Sequence, residues 1–216
     1  MILPAFPSRL YVVCDAEVCA KAGWTLPDFA AACMDGGATL VQVRAKLTPS
    51  RTFLDDTERI MRRAAAAQAT VIVNDRADIA RLAGAHGVHV GQDDLRPTAI
   101  RQVVGAHALV GLSTHTTEQL AAAMREPVQY VAIGPVFGTA TKDTGYRPVG
   151  LRMVREAADT ARDARMPLVA IGGITLDLAS DVLGAGASAV AVITDILVGN
   201  DPAARVRAFL ERLARV

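Results

Sequence analysis

Long uninterrupted hydrophobic runs are missing from this sequence, although 51% of its residues are hydrophobic. A membrane-spanning helix needs about 18 or more consecutive apolar residues, and no stretch of the chain approaches that length. The start, MILPAFPSRLYVV, lacks the basic region, apolar core and small-residue cleavage site of a secretory leader. These absences predict a cytoplasmic protein with no membrane partner.

Cysteine and aromatic residues are also scarce, and positive and negative charges nearly balance. The three cysteines, Cys14, Cys19 and Cys33, show no C-x-x-C spacing, which indicates free thiols in a reducing compartment. Aromatic residues make up 4% of the chain, the formal net charge is +1, and no basic stripe is present. Because nucleic-acid-binding proteins usually carry a basic surface, the composition argues against nucleic acid as a partner.

Short apolar runs alternate regularly with amphipathic segments along the chain. Segments 50–68 and 201–214 have helical spacing, and Thr116 and Asp201 have the features of helix starts. Continuous apolar runs separated by such helices are typical of parallel strands covered by helices. The eight runs are LYVVC (10–14), TLVQV (39–43), TVIV (70–73), GVHV (87–90), LVGL (109–112), YVAIG (130–134), LVAIG (168–172) and AVAVI (189–193).

Eight strands that are each followed by a helix predict an α/β protein with a single (β/α)8 TIM-barrel domain over residues 1–216. An open doubly wound sheet is the alternative, but the G-x-G-x-x-G pattern common in that fold is absent. In a barrel, polar residues at the C-terminal strand ends face the active-site mouth. Those positions are therefore the candidates for function.

The second strand ends in QVRAK, so that Gln42, Arg44 and Lys46 recur with period two. Alternation would put all three on the inward face together with Leu40. An Arg and a Lys directed at one point form a site for a phosphorylated or anionic substrate, and the deeper Gln42 amide suits the edge of a heterocycle. The alternative is a solvated strand edge with alternating charges.

Acidic residues follow the third and fourth strands, as Asn74-Asp75 and Asp93-Asp94. Carboxylates from adjacent strand ends can converge on one hard cation, and Mg²⁺ typically takes one or two of them plus substrate phosphates and water. The alternative for Asp75 is a helix cap, for a helix that starts near Ala77. His89 lies inside the fourth strand and is expected to be a packed, hydrogen-bonded histidine.

The later strand ends supply hydroxyls and glycines. Ser113 is expected to donate to substrate, since no nucleophile elbow surrounds it, and His115 either acts as an acid/base or orients its loop. The long loop that contains Lys142 suits oxyanion binding and predicts a mobile lid. Gly172-Gly173 and the end of the eighth strand match the usual barrel phosphate site, with a plain tight turn as the alternative for the glycines.

Taken together, these residues resemble the thiamine phosphate synthase family. The motifs run in order as Q-x-R-x-K, N-D-R, G-V-H-x-G-Q-x-D, G-x-S, G-P-V-F-x-T-x-T-K and I-G-G-I, from the second to the seventh strand. Each motif is modest alone, but the ordered set covers nearly the whole chain and is highly specific.

The resemblance implies an enzyme, a magnesium-dependent transferase with two small phosphorylated heterocycles as substrates. A 4-amino-2-methylpyrimidine-methyl group would pass from its diphosphate to the ring nitrogen of a thiazole phosphate, which gives thiamine phosphate and pyrophosphate. Whether the thiazole carries a carboxylate is left open. The implied reaction is a dissociative substitution that needs charge stabilisation and alignment, with no protein nucleophile.

The resemblance also assigns roles to the matching positions. The catalytic residues would be Lys142, Arg44, Lys46 and Ser113, and Asp75 and Asp94 would hold the magnesium ion. The pyrimidine diphosphate would be bound by Gln42, Arg44, Lys46, Asn74, Ser113 and Lys142. The thiazole phosphate would be bound by Thr139, Ala140, Thr141, Gly173, Ile193 and Thr194.

Three features depart from the family pattern. Ala140 stands where the family often has proline, and Thr194 stands where it often has serine; both should tolerate a backbone-mediated contact. The insert DTGYRP, from Asp143 to Pro148, lengthens the predicted lid.

Two other functions remain open at this point. A thiazole tautomerase of the same superfamily would use His115 as its acid/base residue, but it is expected to lack the complete Q-x-R-x-K motif and the aspartate pair. A non-catalytic barrel that binds thiazole phosphate would leave Asp75 and Asp94 without a role. The sequence does not specify the oligomeric state, although barrels of this type often form homodimers.

Overall fold

The fold is a closed barrel of eight parallel strands, seen in a computed structural model that describes residues 6–138 and 145–216. Each strand pairs with the next along the chain, and the first pairs with the eighth. The predicted (β/α)8 architecture is confirmed. The strands are β1 (Leu10–Asp15), β2 (Leu40–Arg44), β3 (Thr70–Asn74), β4 (Gly87–Val90), β5 (Leu109–Thr114), β6 (Tyr130–Ile133), β7 (Leu168–Ile171) and β8 (Ala189–Val192).

Helices cover the outside of the barrel, and two of them begin at the starts predicted from the sequence. The Thr116 hydroxyl accepts from Gln119 N, and the Asp201 carboxylate accepts from Ala204 N, so both predicted helix starts are confirmed. In the described part of the chain, no helix has both the length and the apolar character needed to cross a membrane. The helices are α1 (Ala16–Lys21), α2 (Leu26–Asp35), α3 (Ser50–Ala67), α4 (Ala77–Leu82), α5 (Pro97–Val104), α6 (Thr117–Ala123), α7 (Gly150–Asp163), α8 (Ala179–Gly184) and α9 (Pro202–Leu213), with a 3-10 segment over Thr194–Asn200.

The strands send their side chains alternately to two cores, because successive residues of a strand point to opposite faces. The larger core lies between strands and helices and includes Cys14, Cys19 and Cys33, which are buried and form no disulfide. The smaller core fills the barrel interior. Its buried members are Tyr11, Val13, Leu40, Ile72, Tyr130, Ala132, Val169, Ala189 and Ala191.

Gly111 in β5 makes room for two large interior side chains. The strand register places it between His89 of β4 and Tyr130 of β6. A β-carbon at Gly111 would overlap the Tyr130 ring and would lie 2.5 Å from Nδ1 of His89. A side chain at this position is therefore excluded by packing.

We expect Gly111→Ala to lower the free energy of unfolding by about 1–3 kcal/mol or more, because an overpacked interior forces its neighbours off their preferred positions. Gly184→Ala is the matched control, since a β-carbon there meets nothing within 4 Å. It should leave stability unchanged or raise it by up to about 1 kcal/mol, as alanine favours helix. Denaturant unfolding of both variants measures the difference, and equal stabilities would contradict this account of Gly111.

Candidate functional site

A cavity opens at the C-terminal ends of the strands and contains several of the predicted residues. Its upper wall is polar, whereas much of its floor consists of apolar interior side chains. β5 extends through Thr114, so Ser113 lies within the strand and not after it. The predicted residues that line the cavity are Gln42, Arg44, Asn74, Ser113 and Ile193.

Arg44 is held by two acidic residues from the first strand and its following helix. Its guanidinium forms an ion pair with Asp15, which is 2% exposed, and lies 4.0 Å from Glu17. Asp15 also accepts from Val18 N at the start of α1. Asp15 was not predicted from the sequence, although it directly follows the apolar run 10–14 and ends β1.

Lys46 reaches Asp75 from beyond the end of its strand. β2 ends at Arg44, so the prediction that Lys46 continues the strand alternation is wrong. Instead, the Lys46 ammonium forms an ion pair with the Asp75 carboxylate. The Asp75 carboxyl is also within hydrogen-bonding reach of Asp94. The structure thus brings together the lysine and both predicted metal ligands.

Asp75 has an unusual backbone conformation, with φ at +60°. Such angles are uncommon for residues other than glycine and are often retained at functional sites. Asp75 N donates to His89 O, and Asp75 O accepts from Ala77 N. The N-cap of α4 is Arg76, and no side chain caps this helix. The alternative role of Asp75 as a helix cap is therefore wrong.

Burial raises the pKa of the Asp75 carboxyl, because the charged form loses water contacts. The neighbouring Asp94 raises the pKa further, while Lys46 acts in the opposite direction. Two carboxyls that share one site repel each other when both are ionised. A cation at this point would relieve that repulsion.

The loop after β4 directs Asp94 toward Asp75 and leaves Asp93 exposed. Asp94 Oδ2 accepts from Gly91 N at 2.7 Å, and Gln92 Nε2 donates to Ser113 O at 2.7 Å. The G-Q-x-D motif therefore forms a closed turn that is attached to β5.

The aspartate pair fits a magnesium ion but not a metal centre made of protein ligands alone. Among residues 6–138 and 145–216, no group of three or more His, Cys, Asp and Glu side chains could hold a metal. Mg²⁺ commonly binds through only one or two carboxylates, with substrate phosphates and water as its other ligands. Asp75 and Asp94 meet that requirement.

His89 and Ser113 belong to a line of polar groups that crosses the barrel interior. His89 Nε2 lies 2.8 Å from Ser113 Oγ, and Nδ1 lies 3.0 Å from the Tyr130 hydroxyl. The Tyr130 hydroxyl lies 3.0 Å from that of Tyr11, which accepts from Gln42 Nε2 at 2.9 Å. The expectation that His89 is a packed, hydrogen-bonded histidine is confirmed. The two tyrosines were not recognised from the sequence.

Gly172 and Gly173, which follow β7, allow the backbone after β6 to approach closely. Gly172 has φ at +106°, and a β-carbon there would lie 2.5 Å from Pro135 Cα. A β-carbon at Gly173 would lie 2.5 Å from Gly138 O. Phe137 N donates to Gly172 O at 3.0 Å. The pair thus brings the start of the loop after β6 against the end of β7.

The remaining predicted residues fall at two places. Ile193 lines the cavity, and the exposed Thr194 begins the 3-10 segment after β8. Thr139, Ala140, Thr141 and Lys142 lie outside the described residues, as does Asp143 of the predicted lid insert.

His115 contacts the returning part of the long loop. Its Nδ1 lies 2.5 Å from Gly134 O, and its ring stacks on Tyr146 with 4.1 Å between centroids. Gln119 Nε2 donates to the Tyr146 hydroxyl at 3.1 Å. These contacts favour the loop-orienting role of His115 over an acid/base role.

Comparison with known proteins agrees with this geometry. Residues 10–196 match the family described as thiamine monophosphate synthase. The chain is 45% identical over 207 residues to the thiamine-phosphate synthase of Koribacter versatilis, with 95% of each chain covered. The chain belongs to the thiamine monophosphate synthase family. The family recognised from the ordered motifs is thereby confirmed.

Other relatives support the same family. The thiamine-phosphate synthase of Roseiflexus castenholzii is 37% identical over 213 residues, which cover 97% of this chain and 91% of that protein. The solved structure of thiamine phosphate pyrophosphorylase from Pyrococcus furiosus superposes with a TM-score of 0.85 at 26% identity, with 96% of each chain covered. The prediction of a transferase is confirmed at the level of the family.

The raised pKa of Asp75 predicts a specific pH dependence of stability. Because the folded state holds this proton more tightly than the unfolded state, the free energy of unfolding should fall as pH rises from about 4 through the raised pKa. Asp75→Asn should remove that fall and leave the protein at least as stable near neutral pH. Denaturant titrations across this range provide the measurement.

Asp78→Asn is the matched control, since Arg76 lowers the pKa of the Asp78 carboxyl. Here the sign is opposite: the stabilising contribution is present above the ordinary carboxyl pKa and is lost as pH falls through the lowered one. Asp78→Asn should therefore lower stability at neutral pH. The same response from both variants would contradict the assigned shifts.

Proposed function

We propose that the protein catalyses the magnesium-dependent condensation of 4-amino-2-methyl-5-(diphosphooxymethyl)pyrimidine with 4-methyl-5-(2-phosphoethyl)thiazole or its carboxylated form. The products are thiamine phosphate and pyrophosphate. The observation that carries this proposal is the group formed by Asp75, Asp94 and Lys46 at the mouth of the cavity. Two carboxylates beside a lysine suit a diphosphate that arrives with a divalent cation.

The cationic residues would bind and polarise the diphosphate. Arg44 lines the cavity, and its ion pair with Asp15 keeps the guanidinium in a defined position. The Lys46 side chain is 44% exposed and thus accessible to a ligand. Positive groups directed at a departing pyrophosphate stabilise the charge that develops as the carbon–oxygen bond breaks. Lys142 would contribute from the loop after β6.

Asp75 and Asp94 would hold the magnesium ion, whose charge would further neutralise the leaving pyrophosphate. The carboxylates of both residues come from loops of adjacent strands, β3 and β4, and each is fixed by its surroundings. Asp94 is oriented by the Gly91 amide, and Asp75 is oriented by its backbone contacts with His89 and Ala77.

No protein nucleophile is required by this reaction, and the surroundings of Ser113 agree with that. A serine nucleophile is normally activated by a histidine that a carboxylate orients. Here the histidine beside Ser113 is His89, and its second ring nitrogen, Nδ1, lies within hydrogen-bonding distance of the Tyr130 hydroxyl, at the position that a carboxylate takes in such a triad. Ser113 is better suited to hydrogen-bond the pyrimidine substrate, together with Gln42 and Asn74 on the same cavity wall.

The thiazole phosphate would lie on the side of β7 and β8. Ile193 contributes to the cavity wall there, and Gly173 and Thr194 follow the two strand ends. Loops after the last two strands of a barrel frequently bind phosphate. Thr139, Ala140 and Thr141 would complete this site from the neighbouring loop, which would align the thiazole nitrogen with the pyrimidine methylene.

We expect thiamine phosphate and pyrophosphate to form from the two substrates only when Mg²⁺ is present. Product formation in excess chelator would contradict the metal assignment. If no thiamine phosphate forms but the thiazole phosphate isomerises, the tautomerase alternative is correct. Release of pyrophosphate and chromatography of the products provide the measurements.

Neighbouring aspartates offer a sharper test of the metal ligands. Asp94→Asn retains an oxygen that can accept from Gly91 N but removes the charge, and we expect turnover to fall by about a hundredfold or more. Asp93→Asn changes an exposed side chain, and its turnover should stay within about threefold of the parent protein. Equal losses would show that Asp94 has no special role.

A further inference from the structure

Five polar groups form a continuous hydrogen-bonded line through the barrel, which we call the interior relay: Gln42, Tyr11, Tyr130, His89 and Ser113. Both of its ends, Gln42 and Ser113, line the cavity. Tyr11 and His89 also border the cavity, and the relay is largely shielded from solvent, since Tyr11 and Tyr130 are each 1% exposed, Gln42 is 5% exposed and His89 is 7% exposed. The relay therefore joins two cavity-lining groups through hydrogen bonds within the barrel interior.

The protons of the relay can be ordered because each tyrosine has only one. Gln42 Nε2 can only donate, so the Tyr11 oxygen accepts from it. The Tyr11 proton then needs an acceptor, and the Tyr130 oxygen lies 3.0 Å away. The Tyr130 proton is in turn directed to His89 Nδ1 at 3.0 Å. With the Gln42 amide oriented in this way, the reverse order would leave the buried Tyr11 hydroxyl proton without an acceptor, which is unfavourable.

This order determines the state of His89 and Ser113. With Nδ1 as an acceptor, His89 is neutral and carries its proton on Nε2. Nε2 then donates to Ser113 Oγ, 2.8 Å away. The Ser113 hydroxyl proton is left to donate into the cavity. At the opposite end, one Nε2 proton of Gln42 is used by Tyr11, so that the carbonyl oxygen Oε1 is left to accept and the second Nε2 proton is left to donate.

Burial raises the pKa of the hydroxyls of both Tyr11 and Tyr130. Neither tyrosine therefore gives up its proton near neutral pH, and the relay keeps its full set of protons. The order described above consequently holds under the conditions in which an enzyme assay is made.

We infer that the interior relay selects an aminopyrimidine over an oxopyrimidine, with Tyr11, Tyr130 and His89 as positioning residues. A 4-aminopyrimidine presents an amino donor beside a ring-nitrogen acceptor, which complements an accepting Gln42 oxygen and a donating Ser113 hydroxyl. A 4-oxopyrimidine presents the reverse pattern. The inference rests on the proposed function, since it assumes that the pyrimidine binds between the two ends of the relay.

The tautomer of His89 tests the relay without any substrate. Heteronuclear NMR of histidine-labelled protein distinguishes the two ring nitrogens, and His89→Gln identifies the signal among the four histidines. We expect the Nε2–H tautomer at neutral pH. A proton on Nδ1, alone or on both nitrogens, overturns the proposed order. This result does not depend on whether the protein makes thiamine phosphate.

Tyr130→Phe tests the selectivity, because it removes the donor to His89 and the acceptor of Tyr11. We expect mixed His89 tautomers and a loss of about tenfold or more in the ratio of kcat/KM for the 4-amino over the 4-oxo pyrimidine diphosphate. Tyr11→Phe should shift that ratio in the same direction and serves if the first variant folds poorly. Unchanged selectivity in a folded variant overturns the inference.

Ile72→Val is the matched control, since Ile72 is buried in the same interior core and carries no polar group. It should lower stability while the His89 tautomer and the selectivity ratio stay those of the parent protein. A parent protein that forms no product from either diphosphate overturns the proposed function and the selectivity role, whereas the tautomer still decides the order of the relay.

Discussion

The interior of a closed eight-stranded barrel has room for little more than the side chains that fill it. A polar group placed there must be paired within the protein or with a ligand, because an unpaired one loses its interactions with water. Tyr11, Tyr130 and His89 satisfy one another beneath the cavity. The polar groups in the otherwise apolar floor of the site are therefore paired with one another, and Gly111 supplies the space on which this arrangement depends.

The same constraint governs the charges at the mouth. Arg44 is paired with Asp15, and Lys46 is paired with Asp75. Each pair fixes a long cationic side chain near the place where an anionic ligand would bind, which reduces the ordering cost of binding. Asp75 is held at an energetic cost, since its backbone angle φ is unusual and burial raises the pKa of its carboxyl. Such local costs are common where activity, and not stability, determines the residue.

Much of the site could be predicted because parallel strands in a barrel end at one mouth. Gln42 and Asn74 lie where strand alternation and strand order place them. Lys46 was assigned to the strand alternation although the strand stops before it. Asp15 carried a signal similar to that of Asp75, since each acid lies within two residues after an apolar run. Tyr130 gave no such signal, because its partner His89 is 41 residues away and only the strand register brings them together.

The interior relay also has a consequence for how the chain reaches its native state. Its members come from five strands, β1, β2, β4, β5 and β6. A slip of one residue in any of these strands would turn its member from the interior to the outer core. The relay would then break, and its remaining members would be buried without partners. Closure of the barrel in the correct register therefore also assembles the binding site. A barrel that closes with a strand out of register gains little stability, because it buries unpaired polar groups.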